Sequence, residues 1–124
     1  MDERAFAAAV AGRAGLTKQE ALDLTRATLE ALGRQLSGGE VRELAVVLPS
    51  GLAGSLPQHH RGADPVPMAD FMRQLAQRTG LSRDDVTRGV RAVLTVLGQV
   101  DDTHVRQALS QLPAAYRHLA FATA

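Results

Sequence analysis

The chain has 124 residues, 14 Lys or Arg against 13 Asp or Glu, and 45% hydrophobic residues; that is one ordinary domain or two very small units, with enough apolar mass for a core. A net charge of +1 excludes a polycation that holds nucleic acid by bulk charge, and the absence of cysteine excludes a disulfide framework, a thiol nucleophile and a thiolate metal site. No run reaches the ~18 apolar residues of a transmembrane helix, and Met1 to Arg4 lacks the basic start of a secretory signal, so the expectation is a small cytoplasmic domain with no membrane partner.

Thirteen of the basic residues are Arg and one is Lys18, and alanine occurs 21 times. This composition resembles that of a GC-rich bacterial genome. The aromatics are Phe6, Phe71, Tyr116 and Phe121, too few to tile a stacking surface for single-stranded nucleic acid.

The first predicted element is a helix of about ten residues carrying Phe6, Val10 and Ala11 and closing at Gly15, a residue suited to a left-handed helix end. Thr17 with Glu20 is a capping box that opens a helix of about sixteen residues. Ala21, Thr25, Thr28, Leu29 and Leu32 recur on it at helical spacing, with Leu22 and Leu36 beside them. Ser37 with Glu40 opens a shorter third helix. Pro49 suits the first position of a one- to two-turn tail.

Three of the five prolines then fall between Leu56 and Pro67, which reads as a linker or exposed loop. Beyond it the pattern returns. Phe71, Ala76, Arg78, Gly80 and Leu81 repeat Phe6, Ala11, Arg13, Gly15 and Leu16 at an offset of 65. Arg91, Ala92, Leu94, Leu97 and Gly98 repeat Arg26, Ala27, Leu29, Leu32 and Gly33, the last glycine of each set reading as a helix stop. One residue is then lost, and Val105, Arg106, Leu112 and Pro113 repeat Val41, Arg42, Leu48 and Pro49 at an offset of 64.

The second copy has its own helix starts at Ser82 with Asp85 and at Asp101 or Asp102. Its long helix carries the stronger apolar stripe, Val86, Val90, Val93, Leu94 and Leu97. The expected fold is therefore all-α. A first repeat over 1–56 and a second over 70–124, each of three or four helices, flank a linker over 57–69. Each unit is marginal alone at this size, so the two are expected to share one core as a pseudo-twofold bundle.

The double unit resembles a bacterial family known as the domain of unknown function number twenty-two sixty-seven. The residues that carry the likeness are the Phe-x3-Val/Leu-Ala helix, Gly-Leu-Thr/Ser, Arg-Ala-x-Leu-x2-Leu-Gly and the repeated Leu-Pro at 48–49 and 112–113, the latter followed by Tyr116-Arg117. The resemblance implies an all-helical, cytoplasmic bacterial protein with no assigned activity, and it brings no catalytic residues. Phe6 to Glu43 also looks like the helix-turn-helix opening of the histone-like DNA-bending proteins, through Ala-Val-Ala, Ala-Gly-Leu-Thr-Lys, Leu-Glu-Ala-Leu and Gly-Glu-Val. In those proteins the segment builds the dimer body, while DNA is held by a β-saddle and basic arms. Here Ala45 onward lacks any alternating basic ribbon, so this likeness points to a way of packing.

Chemistry-bearing residues are few. His59 and His60 are adjacent in the linker and lack the helical spacing of a chelating pair. His104 falls in a first helical turn and His118 near the end of the chain. Asp84-Asp85 and Asp101-Asp102 are carboxylate pairs, but both sit at helix starts, where acids cap free N–H groups and favour the dipole. Ser50 and Ser55 lack a nucleophile-elbow context. Gly38, Gly39, Gly51 and Gly54 precede no Lys-Ser/Thr pair of a phosphate loop. No catalytic, cofactor-binding or metal residue is assigned, no cofactor is expected, and an enzyme is not expected.

Two surfaces remain. One is an arginine face of the second repeat around Arg83, Arg88 and Arg91, with Asp84 expected to pair with Arg88, and Asp23, Arg26 and Glu30 expected to pair with one another in the first repeat. The other is the set of apolar residues after each Leu-Pro, Leu52, Leu56, Tyr116, Leu119 and Phe121, which either seal the ends of the bundle or form an exposed patch for contact. The first functional expectation is a non-enzymatic module for protein interaction or self-association, or a stress-associated accessory role, docking through that patch. The alternative is nucleic-acid binding through the arginine face.

Overall fold

The computed structural model describes residues 1–57 and 64–121. His59 and His60 lie outside them. The described residues form helices and no strands. In chain order these are α1 (Glu3–Ala14), α2 (Lys18–Gln35), α3 (Gly38–Val47), α4 (Ser50–Ala53), α5 (Met68–Thr79), α6 (Arg83–Val100), α7 (Asp102–Leu109) and α8 (Ala114–Phe121). α1 and α5 each have 12 residues and α2 and α6 each have 18, and both pairs begin 65 positions apart.

The local start and stop signals act as their chemistry requires. The Asp2 side chain accepts the Ala5 N–H at 2.8 Å to cap α1. Thr17 and Glu20 form a reciprocal capping box at 3.1 and 2.9 Å. Ser37, Ser82 and Asp101 cap α3, α6 and α7 through the amides of Glu40, Asp85 and His104. Gly15 and Gly80 close α1 and α5 at φ 69° and 76°, a region where a Cβ would strain the backbone.

Two kinds of local expectation shift. Gly33 and Gly98 lie inside α2 and α6, which each run two residues further. Gly33 is a packing site: a Cβ there would collide with the Pro57 ring. Pro49 and Pro113 stand immediately before α4 and α8 rather than at their first positions.

α2 and α6 pack on each other at the centre, and α1 and α5 each lie against both of them. Alanines at 7, 11 and 14 on the buried side of α1 let it sit deep between its neighbours. α3 packs against α7, α4 against α1 and α3, and α8 against α6 and α7. One continuous core runs through both halves, from Phe6, Leu24 and Leu29 to Phe71, Val93 and Tyr116. Both predicted stripes face it. Val86, Val90, Val93, Leu94 and Leu97 are buried, and so are Ala21, Thr25, Thr28, Leu29 and Leu32. The weaker first stripe carries hydroxyls where the second has methyls. Thr25 returns its hydroxyl to the Ala21 carbonyl at 2.6 Å, while Thr28 Oγ1 is buried without a partner.

Gly89 marks the crossing of the two long helices. A Cβ there would collide with Leu24 Cδ2 and press on Leu16. Leu24 and Gly89 are equivalent by the offset of 65, so a large side chain from one half fills the space left by the other.

Candidate functional site

The arginine face of α6 has two kinds of member. Arg88 is engaged twice. Its Nη2 pairs with Asp85, three residues back, and its Nε donates to the Ala14 carbonyl at 3.3 Å. It therefore ties α6 to the C-terminal end of α1, where carbonyls lack helical partners and positive charge is favoured. The expected Asp84–Arg88 pair is replaced by Asp85–Arg88, because the guanidinium reaches towards Ala14. Arg83 and Arg91 are exposed and make no ion pair among the described residues.

The first half is wired differently. Arg26 pairs across to Glu3 on α1, Asp23 accepts from Gln19 at 2.9 Å, and Glu30 holds both Arg34 and Arg78. The expected pairing among Asp23, Arg26 and Glu30 does not form, since neighbouring helices offer closer partners. By the offset of 65, the acids at 3, 23 and 30 become Met68, Arg88 and Thr95. Glu3 and Glu30, which pair with arginines in the first half, thus have no acidic counterpart at the equivalent positions.

The apolar residues after each Leu-Pro take the first of their two expected roles and form no surface patch. Leu52, Leu56 and Tyr116 are buried, Leu119 and Phe121 are partly buried against the core, and the Arg106 guanidinium covers the Phe121 ring at 3.9 Å. These residues seal the ends of the bundle. What the first Leu-Pro corner exposes is Val46, at 84%, with Met1 at 63%. Met1, Pro49 and Gly51 line one open depression together with Asp2, Glu3 and Arg4, and Val46 is not part of it. Sequence periodicity missed Val46 because it lies on an otherwise ordinary amphipathic helix.

Two polar clusters were not legible in the sequence. In the first, Gln35 donates from Nε2 to the Tyr116 hydroxyl at 3.1 Å and accepts the Val66 N–H on Oε1 at 2.8 Å. The Tyr116 hydroxyl donates in turn to the Val66 carbonyl at 2.8 Å. Phe71 meets Tyr116 edge-on at 5.2 Å. Burial pushes the Tyr116 hydroxyl above the ordinary tyrosine pKa, with the Gln35 hydrogen bond opposing and Asp70 adding to the shift.

The second cluster joins α3 to α7. Gln107 Nε2 donates to Glu40 Oε1 at 2.9 Å, and Glu43 lies at 3.5 Å. His104 Nδ1 lies 2.9 Å from Asp101 Oδ2. The Asp101 hydrogen bond raises the His104 pKa, helped by the charges of Asp101, Glu43 and Glu40. Asp101 is held below the usual carboxylate range, first by the His104 backbone N–H and then by its ring. Among the described residues no three His, Cys, Asp or Glu side chains are grouped to hold a metal ion, and no helix is long and apolar enough to cross a membrane. His118 is exposed on α8, and none of these groups contacts it.

A cleft of about 420 Å³ opens between α2 and α5. Arg34 and Arg78 stand on it, both held by Glu30, and Ala31 and Leu75 contribute apolar wall.

Taken together, the fold defines an all-helical protein with two long central helices and polar contacts both within and between its halves. The chain belongs to the family described as Uncharacterized conserved protein (DUF2267), whose model matches residues 3–119. That span takes in α1 to α7 and all but the last two residues of α8. No curated protein matches the chain.

Proposed function

We propose that this chain is a non-catalytic binding module of the bacterial cytoplasm, serving an accessory or stress-associated role by docking a protein partner or a second copy at the α3–α4 corner. The cytoplasmic, bacterial setting rests on the family resemblance and the arginine-rich, lysine-poor composition. The observation that carries the docking surface is Val46, 84% exposed on α3. Its equivalent at the offset of 64 is Ser110, the residue that follows α7, so the second repeat carries no apolar residue at that position. An exposed apolar side chain gains free energy when a partner covers it.

The test is the light-scattering mass of the purified protein and of Val46→Ser, alone and with any partner captured by the wild type. Loss of the assembly or of the captured partner in the variant supports the docking reading. Unchanged binding, or no assembly and no partner in either protein, overturns it.

A second reading, nucleic-acid binding, is favoured by one observation: Glu3, which pairs with Arg26, has no acidic counterpart for Arg91, the equivalent of Arg26, and Arg83 and Arg91 make no ion pair among the described residues. The appropriate variant is Arg83→Gln with Arg91→Gln. Arg88 is unsuitable, because it anchors α1. Binding to a short duplex DNA should fall with a log–log salt slope of about −0.9 per phosphate contact and weaken in the double variant. A DNA response indifferent to both arginines would remove this reading.

A further inference from the structure

We propose that the cleft between α2 and α5 is a binding site for a small organic anion, a carboxylate with a short apolar chain. The site does not depend on the docking reading, because it lies on different helices from the α3–α4 corner. Its head-group end is built from Arg34 and Arg78, 44 positions apart in the chain and brought together by one acid. Glu30 accepts from Arg34 Nη2 on one oxygen, at 2.7 Å, and from Arg78 Nη2 on the other. A single carboxylate thus fixes two guanidiniums from two helices. Each uses only Nη2 in doing so, which leaves the remaining N–H groups of two planar forks to meet a second planar anion. Guanidinium forks match carboxylate geometry in two parallel bonds.

The wall and floor argue for a chain behind the head group. Leu75 and Ala31 supply apolar surface, and Gln74 and Gln35 supply amides. Gln35 is fully buried and holds its place through Val66 and Tyr116. Such a mixture, a few placed polar groups over apolar walls, is the usual make-up of a small-molecule site. Asp64 at the rim is the only acid among the lining residues and opposes an anion.

The other half of the molecule is an internal control. The positions equivalent to Glu30, Ala31, Arg34 and Gln35 are Thr95, Val96, Gln99 and Val100, and those equivalent to Gln74 and Leu75 are Ala9 and Val10. Val96 and Val10 are fully buried there. Arg78 itself repeats Arg13, and Gln99 keeps an amide at the Arg34 position, so what is particular to the α2–α5 side is Glu30, Arg34, Gln35 and Gln74.

The experiment is an NMR titration of the full chain with hexanoate, inorganic phosphate and chloride, following the arginine Nε–H and glutamine side-chain signals. Hexanoate should give saturable shifts at Arg34, Arg78, Gln35 and Gln74, with a Kd of about 1 mM. Arg34→Gln and Arg78→Gln should each weaken it by about ten-fold, and Asp64→Asn should tighten it. Arg34 is exposed, so its variant keeps the fold and remains decisive if Arg78→Gln loosens α5. Saturation by phosphate without hexanoate, equal unsaturated shifts with chloride, or indifference to Arg34→Gln would each overturn the proposal, the last two meaning an adventitious ion only.

Discussion

Gln35 and Tyr116 stand 81 positions apart and share a hydrogen bond of 3.1 Å at the junction of α2 and α8. Each also holds one backbone group of Val66, so the segment entering α5 is pinned by side chains where no helix or sheet ladder is available. Tyr116→Phe removes the hydroxyl and leaves the Val66 carbonyl and the Gln35 amide short of a partner. Urea unfolding should show a loss of ~1–3 kcal/mol. Combined with Gln35→Leu, the two losses should fall short of adding, with a coupling of at least ~0.5 kcal/mol. Additive losses would mean that the three groups do not act together.

The same tyrosine predicts an alkaline limit. Burial raises its folded pKa above 10.0, so the folded state binds this proton more tightly than the unfolded chain. The stability from this source is fully present below pH 10 and is lost as pH rises through the folded pKa. Tyr116 is the only tyrosine, which makes absorbance at 295 nm a direct monitor. Ionisation should coincide with unfolding, and a free titration near 10.0 in the folded state would contradict the burial.

Thr28 is buried with an unpartnered hydroxyl, and its equivalent in the second half is Val93, fully buried. Thr28→Val keeps the shape and removes a desolvated polar group. It should raise stability by ~1 kcal/mol, read as a higher denaturant midpoint at constant slope. A lower midpoint would show that the hydroxyl is satisfied in solution.

His104 and Asp101 give opposite pH signs at the start of α7. The His104 pKa is raised by Asp101, so its contribution is complete below pH 6.5 and fades as pH rises through the folded value. The Asp101 pKa is lowered by the His104 N–H, so its contribution is complete above pH 3.8 and fades as pH falls. Stability from the pair should therefore be greatest between about 4 and 6.5. His104→Gln should flatten the alkaline side of that profile, as measured by denaturation midpoints across pH. An unchanged profile would place the dependence elsewhere.

Gly89→Ala tests the crossing of the long helices. The new Cβ meets Leu24 Cδ2, and overpacking should cost ~1–3 kcal/mol despite the better helix propensity of alanine. Adding Leu24→Ala should recover part of the loss, because the methyl then enters the space vacated by leucine. A double variant no better than the sum of its parts would show that the helices are held apart by other contacts.

Much of the architecture was legible in the residues themselves. Caps at Thr17, Ser37, Ser82 and Asp101, left-handed glycines at 15 and 80, and stripes at 3.6-residue spacing are local features. Their physics involves neighbours within one or two turns, so sequence spacing determines them. The same logic placed Asp84, Asp85, Asp101 and Asp102 at helix starts and gave them capping or dipole roles. Tertiary structure decided the rest. Tyr116 and Leu52 look like an exposed apolar patch until other helices cover them. Arg88 looks like part of an open basic face until Ala14 arrives from α1. Glu30 gains Arg78 only because α5 is laid beside α2, whereas Arg34 is its i+4 neighbour on the same helix, and Val46 is conspicuous only because no described residue covers it. Partner choice for a long polar side chain depends on which helix lies across from it. That is set by how the two halves bury their stripes together, and the one-dimensional pattern does not encode it locally.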